Sequence, residues 1–383
     1  MNYNHLSKNN SAVTIHVTCA IVFICFSLLW LYCFQADLLA MAQHLLSNGL
    51  TQYNRSVSPL LITALLCLVQ LVVLGAVRLK KSLHALTYTP SILILALLSA
   101  IYVEADTNQL VVKGWWTVVV VFIIWLCAVF VAVKYQQIEG YNDYGLFSHP
   151  MWINMLIMSL QFMFVAWIGN TNAIFHYRMH AESLLLEGRY DQAASVGKKS
   201  LESDKSLFAI RMYALARCSS LGEHLFEYPV TGTSQKMLPT NDSTLLLLYP
   251  ADSLFRFFSA RPAEQISPVR YLRMMERRDA APRKAVGDYL LCGFLIDKKL
   301  DMFVSEIGKY YTIDDKLPKH YREALTLYMH LRSRPLLSYS VPVVEEDFRN
   351  LKELERQYQD PKERKVKVSE QYRGTYWYYY RYE

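Results

Sequence analysis

The chain has 383 residues, of which 53% are hydrophobic, and a net charge of +7. Its charges are divided unequally, because residues 1–170 hold 12 of the 73 Lys, Arg, Asp and Glu side chains and residues 171–383 hold the other 61. The first part has too few charges to cover a water-exposed surface, so its natural solvent is lipid. In the second part basic and acidic residues are interspersed, which indicates a solvated helical surface and argues against nucleic-acid binding.

Five apolar runs in the first part are long enough to cross a bilayer as helices, which takes about 20 residues each. They are residues 12–34, 60–77, 85–103, 115–133 and 151–168. A cleavable signal peptide is the alternative for the first run, although the run exceeds the usual apolar core of such peptides. Residues 35–49 are apolar on one helical face, which predicts an amphipathic helix on the membrane surface with Gly49 as its cap.

The charged loop residues predict the orientation of these spans. Arg78, Lys80 and Lys81 follow the second run, and Glu104 and Asp106 follow the third. Clustered Lys and Arg stay on the cytoplasmic side, so we expect a cytoplasmic N-terminus and, after five spans, a periplasmic C-terminal domain. The third run is the weakest of the five. Without it, the domain would be cytoplasmic.

The five runs contain no Asp, Glu, Lys or Arg. Transporters and proton relays usually need such groups within the membrane, so the first part indicates an anchor or a packing platform. His16, Gln70 and Gln161 are the strongly polar exceptions, and we interpret them as helix–helix contacts.

The part after residue 170 shows helical patterns and begins with a helix-turn-helix. Ala181 and Leu184 share one helix, Gly188–Tyr190 forms the turn, and Ala193, Gly197 and Leu201 continue a second helix. This resembles the tetratricopeptide repeat, although Lys205 replaces the terminal Pro and Gly197 takes a usually bulky position. A degenerate second unit follows at residues 207–229, and further helices are predicted at 251–259, 269–278, 283–311, 320–331 and 343–357. The predicted fold is therefore all-α, with a five-helix transmembrane domain at 1–170 and a tetratricopeptide-like domain at 171–383.

Several short segments together resemble an uncharacterised family of bacterial multi-pass inner-membrane proteins. They are LWLYCFQADLLAMAQHLLSNG, EGRYDQAA, LGEHLFEYP and TYWYYY. The resemblance implies membrane topology and a bacterial origin, and it implies no catalytic residue.

His176 and His180 are the weak metal candidates, because residues four apart share a helix face. A third ligand is missing, since Glu182 points elsewhere, so we predict no metal or other cofactor. Ser195 and Lys198 match the S-x-x-K of serine acyltransferases without the companion motifs, and a solvated Lys beside a small packing Ser is the favoured interpretation. No C-x-x-C occurs, and a disulfide between Cys218 and Cys292 stays open.

Seven of the eleven residues Tyr372–Tyr382 are aromatic. Tyr376, Trp377, Tyr378, Tyr379 and Tyr380 are the candidate partner-binding residues. The alternatives are an aromatic belt at the lipid interface and packing into a groove of the chain's own helices, which is favoured because exposed apolar patches are normally covered.

These patterns predict a scaffold, anchored in the bacterial inner membrane and without catalytic activity, that displays its helical repeats to a protein partner in the envelope. The alternative is an envelope enzyme or a transport or assembly subunit with a polar cleft where the two domains join.

Overall fold

The structure is a computed structural model that describes residues 3–77, 79, 81–103, 110–134, 148–240, 246–262, 265–278 and 284–383, with side chains from residue 13 onward. Within these residues the fold is all-α apart from one two-stranded hairpin, as the sequence predicts. The chain divides into two compact units, Met1–Asn172 and Ala173–Glu383. Arg78, Lys80, Glu104 and Asp106, on which the predicted orientation rests, lie outside the described residues.

The first unit contains six α-helices in its described residues. They are α1 (Tyr3–Leu29), α2 (Ala36–Leu46), α3 (Val57–Val77), α4 (Thr89–Ser99), α5 (Trp115–Lys134) and α6 (His149–Ile168). Five segments are long and apolar enough to cross a membrane, and four of them match the predicted runs within a few residues: Val13–Phe34, Val57–Val77, Trp115–Lys134 and His149–Ile168. The outer faces of these helices carry exposed Leu, Val, Ile and Phe side chains, which suits contact with lipid.

The remaining segment, Lys81–Ser99, is third in chain order, and its bounds differ from those of the predicted run 85–103. It begins four residues earlier as a 3-10 helix, Lys81–Tyr88, continues as α4, and ends before the hairpin of β1 (Ile101–Val103) and β2 (Leu110–Val112). It is also the most buried of the five segments, since two thirds of it packs inside the unit. Because a 3-10 helix rises about 2.0 Å per residue against about 1.5 Å in an α-helix, a straight segment would reach roughly 32 Å. The non-helical backbone of Leu83 kinks the 3-10 part and shortens this span toward the hydrocarbon thickness of about 30 Å.

The segment that was predicted to be a surface helix is α2, which follows a π-helical turn, Trp30–Phe34. Its apolar face is buried within the unit, and Gly49 terminates the turn after it with a positive φ of 78° and an N–H donated to the His44 carbonyl. Only a residue without a Cβ adopts that conformation at little cost, so the predicted cap is confirmed.

The second unit is a set of packed helices. They are α7 (Ala173–Leu186), α8 (Tyr190–Ser195), α9 (Lys205–Arg217), α10 (Leu221–His224), α11 (Ala251–Phe257), α12 (Pro268–Arg278), α13 (Lys284–Ile296), α14 (Leu300–Ile307), α15 (Lys319–Leu331), α16 (Pro342–Gln357), α17 (Pro361–Tyr372) and α18 (Tyr376–Tyr382). Local signals set their starts: Asp204 caps α9 by accepting from the Leu207 N–H at 2.6 Å, and Asp360 with Pro361 begins α17. One continuous apolar core extends from Ala181 to Tyr379.

The first helical hairpin departs from the predicted pattern at its second helix. Ala181, Leu184 and Ala193 are buried as expected, but α8 ends at Ser195, and Gly197 and Leu201 lie outside any helix. Gly197 has a positive φ of 65°, and a Cβ there would approach the Tyr177 ring to 3.0 Å. The chain therefore turns early, which leaves Leu201 64% exposed.

Candidate interaction sites

The aromatic tail lies in the core of the second unit. Tyr376, Trp377, Tyr378 and Tyr379 in α18 are buried, and Tyr380 is half-buried. The Trp377 ring lies 5.2 Å from that of Phe348, and the Tyr379 hydroxyl donates to the Ile296 carbonyl at 2.7 Å. The tail thus packs in a groove of its own unit. Its predicted role in binding a partner stays untested, and four of its five rings have no free face for one.

A buried histidine–glutamate pair on α15 fastens this tail. His320 is fully buried, accepts the Phe226 N–H at Nε2 (3.2 Å) and donates from Nδ1 to Glu323 (2.9 Å). Glu323 accepts the first backbone N–H of α18, that of Tyr376, at 2.7 Å, and its own carbonyl accepts the Trp377 indole N–H at 2.7 Å. Because both imidazole nitrogens are already hydrogen-bonded, the pair is structural and His320 has no nitrogen left to act as a base.

His176 and His180, the weak metal candidates, are half-buried on α7. In the described part of the chain, no three His, Cys, Asp or Glu side chains gather closely enough to hold a metal ion. The important polar residue of α7 is Glu182, which is fully buried. Its Oε2 accepts the consecutive backbone N–H groups of Leu247, Leu248 and Tyr249 at 2.7, 2.5 and 3.1 Å, while Oε1 accepts from Arg178 at 3.1 Å.

Ser195 and Lys198 do not form an acyltransferase pair. The Ser195 hydroxyl donates to the Gln192 carbonyl at 2.9 Å, and Lys198 bonds Glu227 at 3.0 Å. Cys218 and Cys292 are both free thiols. Burial raises the pKa of each, so neither is an activated nucleophile.

In the first unit, the 3-10 segment brings together polar side chains that the sequence pattern missed. Asn154 of α6 accepts the Ala85 N–H at 2.6 Å and donates to the carbonyls of Lys81 and Ser82 at 2.8 and 3.2 Å. Gln161 donates to the Ala85 carbonyl at 3.2 Å and to Thr89 at 2.8 Å. These side chains make hydrogen bonds to backbone groups that the irregular helix leaves without an intrahelical partner. Such bonds are required inside a membrane, where no water can take their place.

The same segment carries a histidine pair. His84 is buried and stacks on His16 of α1 with ring centroids 3.9 Å apart. Gln70 of α3 donates to Thr87 at 3.1 Å. His16, Gln70 and Gln161 therefore make the helix–helix contacts that the sequence predicts. His84 was missed because the predicted run begins one residue after it.

Among the clefts that the described residues form on the surface of the second unit, two have basic linings. The first, here called the lysine pocket, has a volume of about 330 Å³ and is formed by five separate segments. Its lining includes Lys198 and Lys199 after α8, Glu227 after α10, Lys319 at the start of α15, and Arg373 between α17 and α18.

Glu227 is the central acid of the lysine pocket. It accepts from Lys198 at 3.0 Å and from His224 at 3.1 Å, and the Lys319 ammonium lies 3.9 Å away. Burial alone would raise the pKa of this carboxyl, but the hydrogen bonds from Lys198 and His224 outweigh it and hold the pKa below its ordinary value.

The second cleft, here called the arginine–methionine cleft, has a volume of about 740 Å³ and follows α12. Its floor is apolar and includes Ile266, Tyr271 and Met275, with Met274 51% exposed at the edge. In the described part of the chain, its polar lining contains no carboxylate. It consists of Gln265 and four arginines, Arg261, Arg270, Arg277 and Arg278. Among the described residues, only Arg261 of these four has a carboxylate within ion-pair distance, that of Asp252 at 2.6 Å.

Comparison with known proteins gives a match to the last part of the second unit. Residues 271–383 match a family of unknown function (DUF6057). No curated protein and no solved structure matches the chain. The matched stretch includes most of α12, the His320–Glu323 pair, the aromatic tail, and Lys319 and Arg373 of the lysine pocket.

Proposed function

We propose that this chain is a membrane-anchored interaction scaffold whose helical unit binds an acidic segment of an envelope protein in the arginine–methionine cleft. The observation that carries the proposal is the composition of that cleft: an apolar floor bordered by arginines, three of which have no carboxylate partner in the described part of the chain. The protein presents its partner and itself performs no chemistry.

The two faces of α12 explain why the cleft arginines are left for a partner. On the inner side, Arg273 bonds Glu276 at 2.8 Å and Glu306 at 3.0 Å, and Tyr310 donates to Glu276. On the outer side, Arg270, Met274, Arg277 and Arg278 recur at intervals of three to four residues and are exposed. Glu276, the single acid of α12, is thus occupied on the inner face, and the outer face keeps a positive charge.

An acidic peptide with an apolar residue matches this surface better than other occupants. Arginine binds carboxylates through a planar fork of donors, and an unbranched methionine adapts its shape to a partner side chain. The cleft is concave and has an apolar floor, which favours an inserted side chain over a flat array of lipid headgroups.

The surrounding helical hairpins support the scaffold role. The pairs α7–α8 and α13–α14 each join two helices through a short turn, as in the tetratricopeptide-like arrangement that the sequence indicates. We propose that the unit is a divergent stack of this kind, and that its concave surfaces present the cleft.

We further propose that the helical unit is periplasmic and the N-terminus cytoplasmic. An odd number of crossings puts the N-terminus and the helical unit on opposite sides of the membrane. The proposal therefore depends on the segment Lys81–Ser99 crossing the membrane, which brings the number to five. Its length of up to roughly 32 Å with a 3-10 start supports a crossing. Alkaline phosphatase and, separately, green fluorescent protein are fused after Glu383 through a flexible linker in a bacterial host. We expect phosphatase activity without fluorescence, and bright fluorescence alone would contradict five crossings.

The binding proposal is tested with the full chain in nanodiscs against a library of 12-residue peptides. We expect enrichment of peptides with two or more acids around a large apolar residue, and loss of their binding when Arg270, Arg277 and Arg278 are changed to Gln. The matched control changes Arg349 and Arg356, exposed residues of α16, to Gln and leaves binding intact. Enrichment of peptides without acids, or equal binding by the triple variant, contradicts the proposal. So does cleft-dependent binding to anionic vesicles with no peptide bound.

A transport or assembly subunit is the second candidate, favoured by the broken third span and its buried His84. Most polar side chains at the break are, however, used to satisfy the backbone, which favours a packing platform. If the unit carries protons, proteoliposomes show a flux that His84→Phe abolishes. If it is a platform, His84→Phe and the unchanged protein show the same background leak.

A further inference from the structure

The lysine pocket shares no lining residue with the cleft on α12, and its lining is mostly basic among the charged side chains. Four basic side chains line the pocket against two acidic ones, Glu227 and Glu383. Glu227 engages Lys198 and Lys319, whereas Lys199 and Arg373 have no carboxylate within ion-pair distance among the described residues. A concave site with an excess of two positive charges attracts an anion of matching charge.

The pocket is held open by the fold and is not a chance group of surface lysines. Lys319 donates to the Gly374 carbonyl at 3.2 Å, and its backbone N–H donates to Glu223 at 2.7 Å. Gly374 has a φ of +90°, and a Cβ there would lie 3.4 Å from the Glu227 Cα, so the α17–α18 turn lies directly against the segment that carries Glu227. The basic groups of distant segments are thereby kept at one opening.

The pocket also has an apolar wall and room for more than an inorganic ion. Phe226 and Tyr228 are buried in its lining, and Leu201 is exposed at its edge. The Lys198 ammonium lies 5.8 Å from the centre of the Tyr228 ring. At about 30 Å³ for each water in the liquid, the volume equals that of roughly ten waters. This exceeds the size of a bare phosphate and fits a small phosphate ester.

We infer that the lysine pocket binds the phosphate group of a small phosphate monoester, with Lys198, Lys199, Lys319 and Arg373 as donors and Glu227 as an internal competitor. In the empty pocket the Glu227 carboxylate neutralises Lys198 and Lys319. On binding, the phosphate takes over these contacts and gains Lys199 and Arg373. The phosphate belongs either to a soluble ester or to the monoester headgroup of a lipid.

The competitor role makes an unusual prediction: removing an acid strengthens the site. The full chain in nanodiscs of neutral lipid is titrated with glycerol 3-phosphate by calorimetry. We expect binding that weakens with salt, that falls about tenfold or more in Arg373→Gln and in Lys199→Gln, and that rises about tenfold in Glu227→Gln, a change equivalent to roughly one charge-assisted contact. Lys362→Gln, an exposed lysine of α17, is the matched control and leaves binding unchanged.

A second arm distinguishes the two sources of phosphate. Vesicles with and without phosphatidic acid are compared in a flotation assay with the same variants. Binding to glycerol 3-phosphate indicates a soluble ester, and retention by phosphatidic acid vesicles alone, lost in Arg373→Gln, indicates a lipid headgroup. Circular dichroism of each variant confirms that the helices are intact. The inference is overturned if neither probe binds the unchanged protein or Glu227→Gln, or if Arg373→Gln binds as well as the control.

Discussion

Replacing Glu182 should release the backbone of residues 247–249. Glu182 is fully buried, and its Oε2 alone accepts three consecutive backbone N–H groups at 2.5 to 3.1 Å. In Glu182→Ala these three donors and the Arg178 guanidinium lose their acceptor. Breaking a buried ionic contact by removing one partner costs about 3–5 kcal/mol.

The conservative variant Glu182→Gln tests the effect of the carboxylate charge while it keeps the shape of the side chain. Glu182→Gln keeps one carbonyl oxygen where Oε2 lies but places an amide N–H₂ toward Arg178. Hydrogen bonds to a charged acceptor contribute about 1.5–3 kcal/mol and neutral ones about 0.5–1.5 kcal/mol, so we expect a loss of about 2 kcal/mol. Glu187, on the same helical hairpin, is 52% exposed and pairs with Arg189 on the surface, so Glu187→Ala should change stability by less than about 1 kcal/mol.

Hydrogen exchange measured by mass spectrometry on the full chain in detergent tests this directly. A loss of about 2 kcal/mol corresponds to roughly 30-fold faster exchange, which we expect for the amides of Leu247, Leu248 and Tyr249 in Glu182→Gln, with a larger effect in Glu182→Ala. Exchange at these amides that stays as slow in Glu182→Ala as in the unchanged protein would refute the reasoning.

Three further predictions follow from other contacts. Asn154→Leu should lower the free energy of unfolding of the first unit by about 2 kcal/mol, because several backbone groups of the 3-10 segment lose a partner; thermal unfolding in detergent measures it. Glu323→Ala should detach α18 and accelerate trypsin cleavage after Arg373. The third concerns pH. Burial alone would raise the pKa values of Glu276 and Glu306, but hydrogen bonds from neighbouring groups, including Arg273, hold both below their ordinary value of 4.5. The contribution of these two carboxylates to stability is therefore present above that pH and is lost as the pH falls below it. Arg273→Gln should flatten this acid limb of a stability–pH profile.

Matched controls accompany these variants. Gln52→Ala, an exposed change in the first unit, should leave thermal unfolding unchanged, and Glu370→Ala on α17 should leave tryptic cleavage unchanged. An Asn154→Leu protein as stable as Gln52→Ala would show that the 3-10 segment does not need its side-chain partners. Cleavage of Glu323→Ala at the unchanged rate would show that aromatic packing alone holds α18. A stability–pH profile of Arg273→Gln that keeps its full acid limb would assign the pH dependence to other carboxyls.

The sequence predicts the helices well because helix length and apolar periodicity are local properties. Four of the five spans and the turn at Gly188 lie where hydropathy and the turn glycine place them. The third span was misplaced because its first turns are polar, and their polar groups are buried only through partners such as Asn154, 69 residues away.

The candidate sites could not be predicted in the same way. The lysine pocket joins residues from 198 to 383, so no local pattern indicates it. Gly197 and Leu201 were assigned to a helix because their spacing fits one, whereas close packing against Tyr177 requires a left-handed turn there. The arginines of α12 were visible as a charged helix, but which of them are paired depends on Glu306 and Tyr310 of a later element.

The burial of α18 has a consequence for how the chain folds. The rings of Tyr376 and Tyr379 lie about one ring width from Phe226, with centroid distances of 5.0 and 4.8 Å, although some 150 residues separate them along the chain. Contacts of such long sequence separation form late, since the loop must close before they stabilise anything. During synthesis, the groove for α18 therefore stays open, with Phe226 and Phe348 unprotected, until the last residues of the helix have been made. In that interval the unit exposes apolar surface that a chaperone can bind, and the surface is covered once α18 has packed into the groove.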